Sequence, residues 1–267
     1  MELTFRQKFK LTIRNGLKYM PLLRNLISRE LKKKYRQNLL GYVWCILSPL
    51  MVMIIMTIVF SRMFHNSIDN FPVYLFSGRM MYSFITDCCG SMLRSIVENG
   101  RLMRKTRVPY YIFPLASMGG CVVNFLFQLI AFALVLIFTG TFPSYHIIIF
   151  PVVCLEMFLF SFGFGSLLAI SQVYIRDTKY IYTVFTTAWF YLTALFYPLK
   201  SLSLVLQRLI RNFNPAYYFV EMSRDIFLYH QWPRPMMMLR GAVVGVFFAI
   251  LGLWVYTKAK KNMILYV

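Results

Sequence analysis

Leu31 to Leu50 reads LKKKYRQNLLGYVWCILSPL. Four cations, Lys32, Lys33, Lys34 and Arg36, run almost without spacer into Gly41, Tyr42, Val43 and Trp44, and then into a long apolar segment. The two halves suit different solvents. Lysine and arginine heads need water or anionic headgroups, whereas Gln37 to Ser61 carries no charge over a length that matches a bilayer crossing of about 20 residues. Read as one unit, the stretch describes a helix that arrives at a membrane surface and turns into it. Tyr42 and Trp44 would then sit at the interface, where amphipathic rings prefer to lie.

The rest of the chain repeats the apolar half of that pattern. Hydrophobic residues make up 59% of the 267 residues and charged residues 14%, far from the balance of a soluble globular domain. Further uncharged runs cover Val108 to Leu155, Met157 to Ile175, Tyr180 to Leu199 and Gly241 to Thr257. These give an all-α polytopic membrane protein with six expected spans. The first is Tyr42 to Ser61, bent at Pro49 because proline removes a helix hydrogen bond. The second, Pro72 to Gly90, is interrupted by Arg79 and Asp87. The long uncharged run breaks at TGTFPSY, where Gly140 and Pro143 mark a turn between spans three and four. Span four continues to Gln172, span five covers Tyr180 to Pro198, and span six covers Gly241 to Thr257. The chain reads as a single transmembrane domain: residues 1–41 a surface region, 42–257 the bundle, and 258–267 a tail. MELTFRQKFK has no signal-peptide pattern, and no internal repeat is evident.

Charge orients the bundle. With the N-terminus cytoplasmic, segments 1–42, 91–112, 172–180 and 258–267 hold 21 of the 29 Lys and Arg, so both termini are expected inside. The formal net charge of +20 thus points to membrane lipid as the partner of the cations, not to nucleic acid. Before span one, Leu22, Leu23, Leu26, Ile27, Leu31 and Tyr35 fall on one helical face and Arg24, Arg29, Lys32, Lys33 and Arg36 on the other. That is the pattern of an amphipathic helix lying in the interface, or of an ordinary solvated basic face. Lys200 to Arg240 is long and studded with apolar groups. LSLVLQRLI and PAYYFVEMSRDIFLYH within it are too short or too charged to cross, and are expected to dip in as re-entrant helices.

Catalytic chemistry has no foothold. The nine acidic residues are scattered, and His65, His146 and His230 are isolated without metal-ligand spacing. Cys45, Cys88, Cys89, Cys121 and Cys154 read as small buried hydrophobes. GRLMRKT, Gly100 to Thr106, lacks the second glycine of a phosphate loop, so no catalytic residue, metal site or ATPase site is assigned. Aromatic residues reach 18%. Tyr35, Tyr42 and Trp44 crowd the start of span one, and Trp189, Tyr191, Phe196 and Tyr197 crowd span five. They serve either as belts and core packing or as the lining of a passage on which sugar rings stack. Ser161, Gly165 and Ala169 make a small-residue stripe in span four, of the kind that lets helices approach.

RELKKKYRQNLLGYVWCILSPL resembles the basic-helix-into-first-span signature of permease subunits from bacterial ABC polysaccharide exporters, the O-antigen, capsule and teichoic-acid transporters of the type-2 export superfamily. The resemblance continues through FPVYLFSGRMMYSF, SIVENGRLMRKTRVPYYIFPLAS, VYIRDTKYIYTV and FNPAYYFVEMSRDIFLY, and so covers nearly the whole chain. Arg79 departs from it, standing where the family usually has an apolar residue. The resemblance implies a subunit of the bacterial cytoplasmic membrane that pairs with a second copy of itself and two separate ATP-binding subunits, which carry the ATP and Mg. It implies export of an undecaprenyl-type lipid-linked glycan, whose diphosphate would meet Lys32, Lys33, Lys34 and Arg36. It also implies a coupling helix after span two, on Glu98, Asn99, Gly100, Arg101, Leu102, Met103, Arg104 and Lys105. The alternative reading is a type-2 permease for a drug or a small lipid.

Overall fold

The computed structural model describes residues 19–35, 40–64, 68, 70–105 and 108–259. Every element among them is helical. In chain order these are α1 (Met20–Tyr35), α2 (Trp44–Phe64), α3 (Phe71–Glu98), α4 (Gly100–Lys105), α5 (Ile112–Thr139), α6 (Phe150–Tyr174), α7 (Thr178–Leu192), α8 (Leu204–Phe213), α9 (Pro215–Phe227) and α10 (Pro235–Ala259). Four stretches among the described residues are long and apolar enough to cross a membrane: Gly41–Ser61, Ile112–Thr139, Tyr145–Tyr174 and Pro235–Lys258.

α3 is the centre of the bundle. It packs against α5 on one side and α6 on the other, and α9 lies over its N-terminal half. Its 28 residues span about 42 Å at about 1.5 Å per residue. Asn70 starts it by accepting a hydrogen bond from the Val73 amide, and Pro72 follows inside the first turn, where its missing N–H costs nothing. Buried residues run from Phe71 to Ile96 over most of the helix, leaving one stripe through Arg79, Ser83, Thr86, Asp87, Ser91 and Arg94. The hydropathy minimum that Arg79 and Asp87 create is therefore no break in the helix.

α10 packs along α6 in the most extensive helix pair among the described residues. A Cβ at Gly163 would lie 2.1 Å from the backbone carbon of Phe248, and one at Gly252 would lie 2.8 Å from the oxygen of Gly163. The stripe Ser161, Gly165 and Ala169 turns the other way: a Cβ at Gly165 would lie 2.6 Å from the sulfur of Met92 on α3. Small residues on two faces of α6 thus admit a neighbour on each side. The turn expected at TGTFPSY forms as α5 ends, with Gly140 in the left-handed conformation (φ 67°) and its amide bonded back to Ile137 and Leu136, a glycine-terminated helix end.

The apolar face of α1 meets protein. Leu26 is buried with Ile96, Met103, Ile112, Phe113 and Ala116, and Leu22, Leu23 and Ile27 pack on that cluster. Ile27 sits where a side chain on Gly119 of α5 would have to be. The Lys200–Arg240 segment holds two further helices, α8 and α9, neither of spanning length. α9 is almost wholly buried, whereas α8 exposes Leu204, Val205, Leu209 and Phe213.

Candidate functional site

A cavity of about 880 Å³ opens along α3. From α3 it takes Tyr82, Thr86, Asp87, Ser91, Arg94 and Glu98; from α5, Ser117, Asn124, Phe125 and Gln128; from α7, Tyr182, Thr183, Thr186, Thr187, Phe190 and Tyr191. Glu30, Leu31 and Lys33 of α1 close its charged end. Hydroxyls and amides share the wall about equally with apolar groups, rings among them. Such a surface offers hydrogen bonds and flat apolar faces together.

Two tyrosine–threonine pairs hold the wall in shape. Tyr82 Oη donates to the Thr186 carbonyl at 2.6 Å, and Tyr182 Oη donates to the Thr86 carbonyl at 2.8 Å. Each threonine in turn donates to the carbonyl of the tyrosine four residues before it, Thr86 to Tyr82 at 3.1 Å and Thr186 to Tyr182 at 3.0 Å. The same spacing, YSFIT in α3 and YTVFT in α7, makes a reciprocal clamp between the two helices. The repeated Tyr-x-x-x-Thr was visible in the sequence and is the signal from which this clamp could have been found.

At the charged end, Lys33 Nζ donates to Glu98 Oε2 at 3.1 Å, and Arg94 approaches the other oxygen of that carboxylate at 3.8 Å. Arg29 donates to Asn99 Oδ1, and Asn99 Nδ2 donates to the Ser95 carbonyl. α1 is therefore tied by two polar contacts to the end of α3, directly before α4. Of the cations expected at a diphosphate entrance, Lys33 lines the cavity and Lys32 is exposed beside it. The side chain of Lys34, and Arg36 as a whole, lie outside the described residues. Within the expected coupling segment, Gly100–Lys105 is the helix α4. Arg101 is exposed and Leu102 half-buried, while Met103 is buried against α1 and α5; the side chains of Arg104 and Lys105 lie outside the described residues.

The expected rings divide three ways. Tyr191 lines the cavity, beside Phe190. It continues into a run of rings: Phe190–Phe196 (5.6 Å between centroids), Tyr191–Phe196 (6.1 Å) and Phe196–Tyr197 (5.2 Å). Tyr35 reaches the cavity wall indirectly, donating to Asn124 Oδ1 at 3.1 Å, and its ring meets Tyr42, which stacks in turn on Phe127. Trp44 is partly exposed at the start of α2. Trp189 faces the core and is 6% exposed, its Nε1 donating to Asn214 Oδ1 at 2.7 Å.

Beyond the end of the cavity away from α1, a polar lattice ties α9 to the end of α7. α7 stops at Leu192, and Ala194 takes a left-handed φ of 51°, a strained conformation for a residue with a Cβ. Asn214 caps α9 through the Tyr217 amide and donates to the Leu192 carbonyl and Thr193 Oγ1. Arg224 is 1% exposed; its guanidinium donates to the carbonyls of Ala194 (3.0 Å) and Leu195 (2.9 Å) and lies 3.6 Å from the centre of the Tyr74 ring. Gly78 makes room for it, since a Cβ there would come within 2.9 Å of Val220 and 3.1 Å of Arg224. Neighbouring Asp225 is buried, accepting from Gln231 at 2.7 Å through one oxygen while the other has no partner. Burial pushes its carboxyl up to about 6, with the Gln231 bond pulling the other way.

The bundle thus holds a polar, ring-bearing cavity with a buried polar lattice beyond one end. Residues 21–228 match the family model described as ABC-2 type transporter. The chain belongs to the ABC-2 type transporter family. It is similar to the O-antigen export system permease protein RfbA of Myxococcus xanthus, 29% identical over 240 residues that cover 89% of this chain and 92% of that protein. The proteins of the same name from Klebsiella pneumoniae are 22% identical over 204 residues, 76% of this chain and 78% of theirs. Membership in the ABC-2 family, with four apolar helices of spanning length, makes the chain a transport component and a multi-pass protein of the bacterial cytoplasmic membrane.

Proposed function

We propose that this chain is the membrane-spanning subunit of an exporter that moves a lipid-linked polysaccharide out of the cytoplasm, driven by ATP hydrolysis on separate subunits. The observation that carries the reading is the hydroxyl-, amide- and ring-lined cavity between α3, α5 and α7. A polyol needs many hydrogen-bonding partners and flat faces, whereas a drug or small lipid would favour an apolar cleft. The polysaccharide-exporting relatives favour the same side. Two copies of the chain would assemble with two ATP-binding subunits that hold ATP and Mg. The exposed apolar residues of α2 (Ile55, Ile58) and α7 (Ile181, Val184) offer surfaces for lipid or a second copy.

In this reading α3 and α7 join the four apolar helices to make six crossings, with both termini cytoplasmic. α7, with 15 residues, spans only about 22 Å and needs the Thr193–Pro198 segment to complete its crossing. α1 lies along the cytoplasmic surface with its apolar face on α5, α4 presents Arg101 toward the ATPase, and α8 and α9 close the outer mouth from within the membrane. Lys32 and Lys33 stand where a lipid diphosphate would arrive.

The test is surface glycan. Cells lacking this chain should retain their lipid-linked polymer in the cytoplasm and regain surface polymer when it is restored, while the Asn99 position, replaced by Cys, stays unreactive to an impermeant thiol reagent in intact cells. Unchanged surface glycan in the deletion would refute the export reading, and external labelling at position 99 would refute the topology.

A further inference from the structure

α8 leaves most of its apolar face outside the fold. With residues advancing about 100° each, Val205, Leu206, Leu209 and Phe213 share one arc of about 100°. All four are exposed, Phe213 by 79%. Ile210, at the edge of that arc, is the buried residue of the helix. Gln207, Arg208, Arg211 and Asn212 take the other side, where both arginines are exposed. Ten residues are too few to cross a bilayer, and this division of faces suits a helix lying at its surface. A contact with α10 sets the depth. Arg240 Nη1 donates to the Arg211 carbonyl and to Asn212 Oδ1, both at 3.0 Å, and so ties the end of α8 to the first turns of α10. There Met236, Leu239 and Val243 begin the exposed apolar face of the stretch Pro235–Lys258, which is long and apolar enough to cross. Trp232 and Tyr145, both exposed and 5.9 Å apart in edge contact, stand just before α10 and α6, as amphipathic rings do at a membrane boundary. α8 is thus held where hydrocarbon meets headgroups, at the end of the bundle away from α1.

We propose that α8 is a binding site for anionic phospholipid, its apolar arc among the acyl chains and Arg208 and Arg211 on the headgroup phosphates. The inference goes beyond the export reading and does not depend on it. Charge complementarity selects the occupant. Residues 199–240 carry six Lys and Arg against two acids, Glu221 and Asp225. Glu221 lies 3.6 Å from Arg224, and Asp225 is buried and bonded to Gln231, so both acids are engaged around α9. Arg208 and Arg211 are three residues apart and neighbours on the helix surface, spaced to grip one headgroup or two adjacent ones. A guanidinium holds two phosphate oxygens at once, and its stem lies along apolar surface while the charge stays in the headgroup layer. A zwitterionic headgroup offers the same phosphate but brings its own cation, which the arginines repel. A second copy of the chain docking through α8 about a two-fold axis would bring the same arginines towards their twins.

The test uses the whole transporter, this chain with its ATPase, carrying Phe213→Trp in bilayer discs of mixed phosphatidylglycerol and phosphatidylcholine. Fluorescence of the added tryptophan, taken as the difference from the parent chain, is quenched by phosphatidylglycerol brominated on its acyl chains. The measurement is repeated with brominated phosphatidylcholine at the same mole fraction, and the readout is the ratio of the two. Phosphatidylglycerol should be favoured about fivefold, the size of one cation's attraction to an anionic surface. Arg208→Gln with Arg211→Gln should bring the ratio close to one. Each alone should bring it part of the way, so the test stands should the pair fail to assemble. Arg176→Gln, at the α1 end of the bundle, should leave the ratio unmoved. A ratio near one with both arginines present, a ratio that their substitution does not move, or an equal fall with Arg176→Gln overturns the anionic site. Absence of quenching by either lipid places the arc against protein, a second copy included, and overturns it too. The discs contain no glycan lipid, so each of these results leaves the export reading standing.

Discussion

Arg224→Met tests the buried polar lattice at its centre. In the native structure the guanidinium makes two bonds to the Ala194 and Leu195 carbonyls, at 3.0 and 2.9 Å, a longer one of 3.4 Å to the Tyr74 carbonyl, and a stack on the Tyr74 ring. Charge-assisted bonds contribute about 1.5–3 kcal/mol each, and a desolvated cation–ring contact about 2 kcal/mol. Against this stands the cost of burying the charge, several kcal/mol, which methionine removes. What methionine cannot do is satisfy the carbonyls of the strained Ala194 turn, at about 1–3 kcal/mol per orphaned group. The net loss is about 3 kcal/mol. At about 2–4 °C per kcal/mol for a chain of this size, melting of the purified transporter in detergent, followed by tryptophan fluorescence, should fall by about 10 °C. Arg224→Lys keeps the charge but not the planar group that lies over Tyr74 while its separate nitrogens reach Tyr74 and Glu221, and should fall about half as far. Because the same contacts hold α9 to the end of α7, Arg224→Met should also make vesicles bearing the transporter leak a small trapped dye. A Met variant that melts within about 2 °C of wild type and holds its dye would mean that the lattice does not depend on the guanidinium.

Further outcomes follow from other contacts. Asp225, with its carboxyl raised from 3.8 to about 6, contributes stability that is complete below about pH 4 and lost as pH rises through 6; Asp225→Asn should flatten the melting temperature across that window, and an unaltered pH profile would exclude the carboxyl as its source. Gly163→Val drives a side chain into the α10 backbone at Phe248, where nothing flexible can yield, and should cost about 3 kcal/mol or more, read as loss of folded protein from the membrane. Tyr191→Leu keeps bulk but removes a flat face from the cavity; at about 1 kcal/mol per ring contact it should slow glycan export about fivefold at normal protein level. Trp189→Leu, by contrast, should lower the melting temperature, because that indole sits in the core bonded to Asn214.

The contrast between those two rings shows where sequence reading runs out. Tyr191 and Trp189 are two residues apart on a helix whose faces are both apolar, and in a membrane hydropathy does not say which face is inside. The answer lies in a long-range contact: Asn214, 25 residues on, receives the indole N–H and so turns Trp189 inward. Met103 is similar. Local pattern gives a polar segment with an apolar pair, and only the fold shows that Met103 is covered by α1, while Leu102 stays half-exposed. What local chemistry does dictate is legible. Gly140 ends α5 at TGTFPSY, Leu26 and Ile27 give α1 its buried face, and LSLVLQRLI and PAYYFVEMSRDIF become short helices in place of a crossing.

α3 joins these two kinds of information. Hydropathy makes it the weakest of the expected spans, because Arg79 and Asp87 interrupt it, yet it is the most enclosed of the long helices described. The two facts have one cause. A helix facing lipid must be apolar on its outside, since hydrocarbon cannot solvate a charge. α3 faces protein on most sides, Met81, Ile85, Cys88, Cys89 and Met92 being fully buried, and a polar cavity on the remaining one. It is thereby released from the lipid constraint, and Thr86, Asp87, Ser91 and Arg94 can occupy the cavity side at helical spacing. The break in hydropathy is thus the mark that a polar cavity leaves on the helix that lines it. The same holds for α7, whose threonines at 183, 186 and 187 dilute its apolar character and which also falls outside the four helices of spanning length and hydropathy. The two helices that look least like spans, α3 and α7, thus line the polar cavity together.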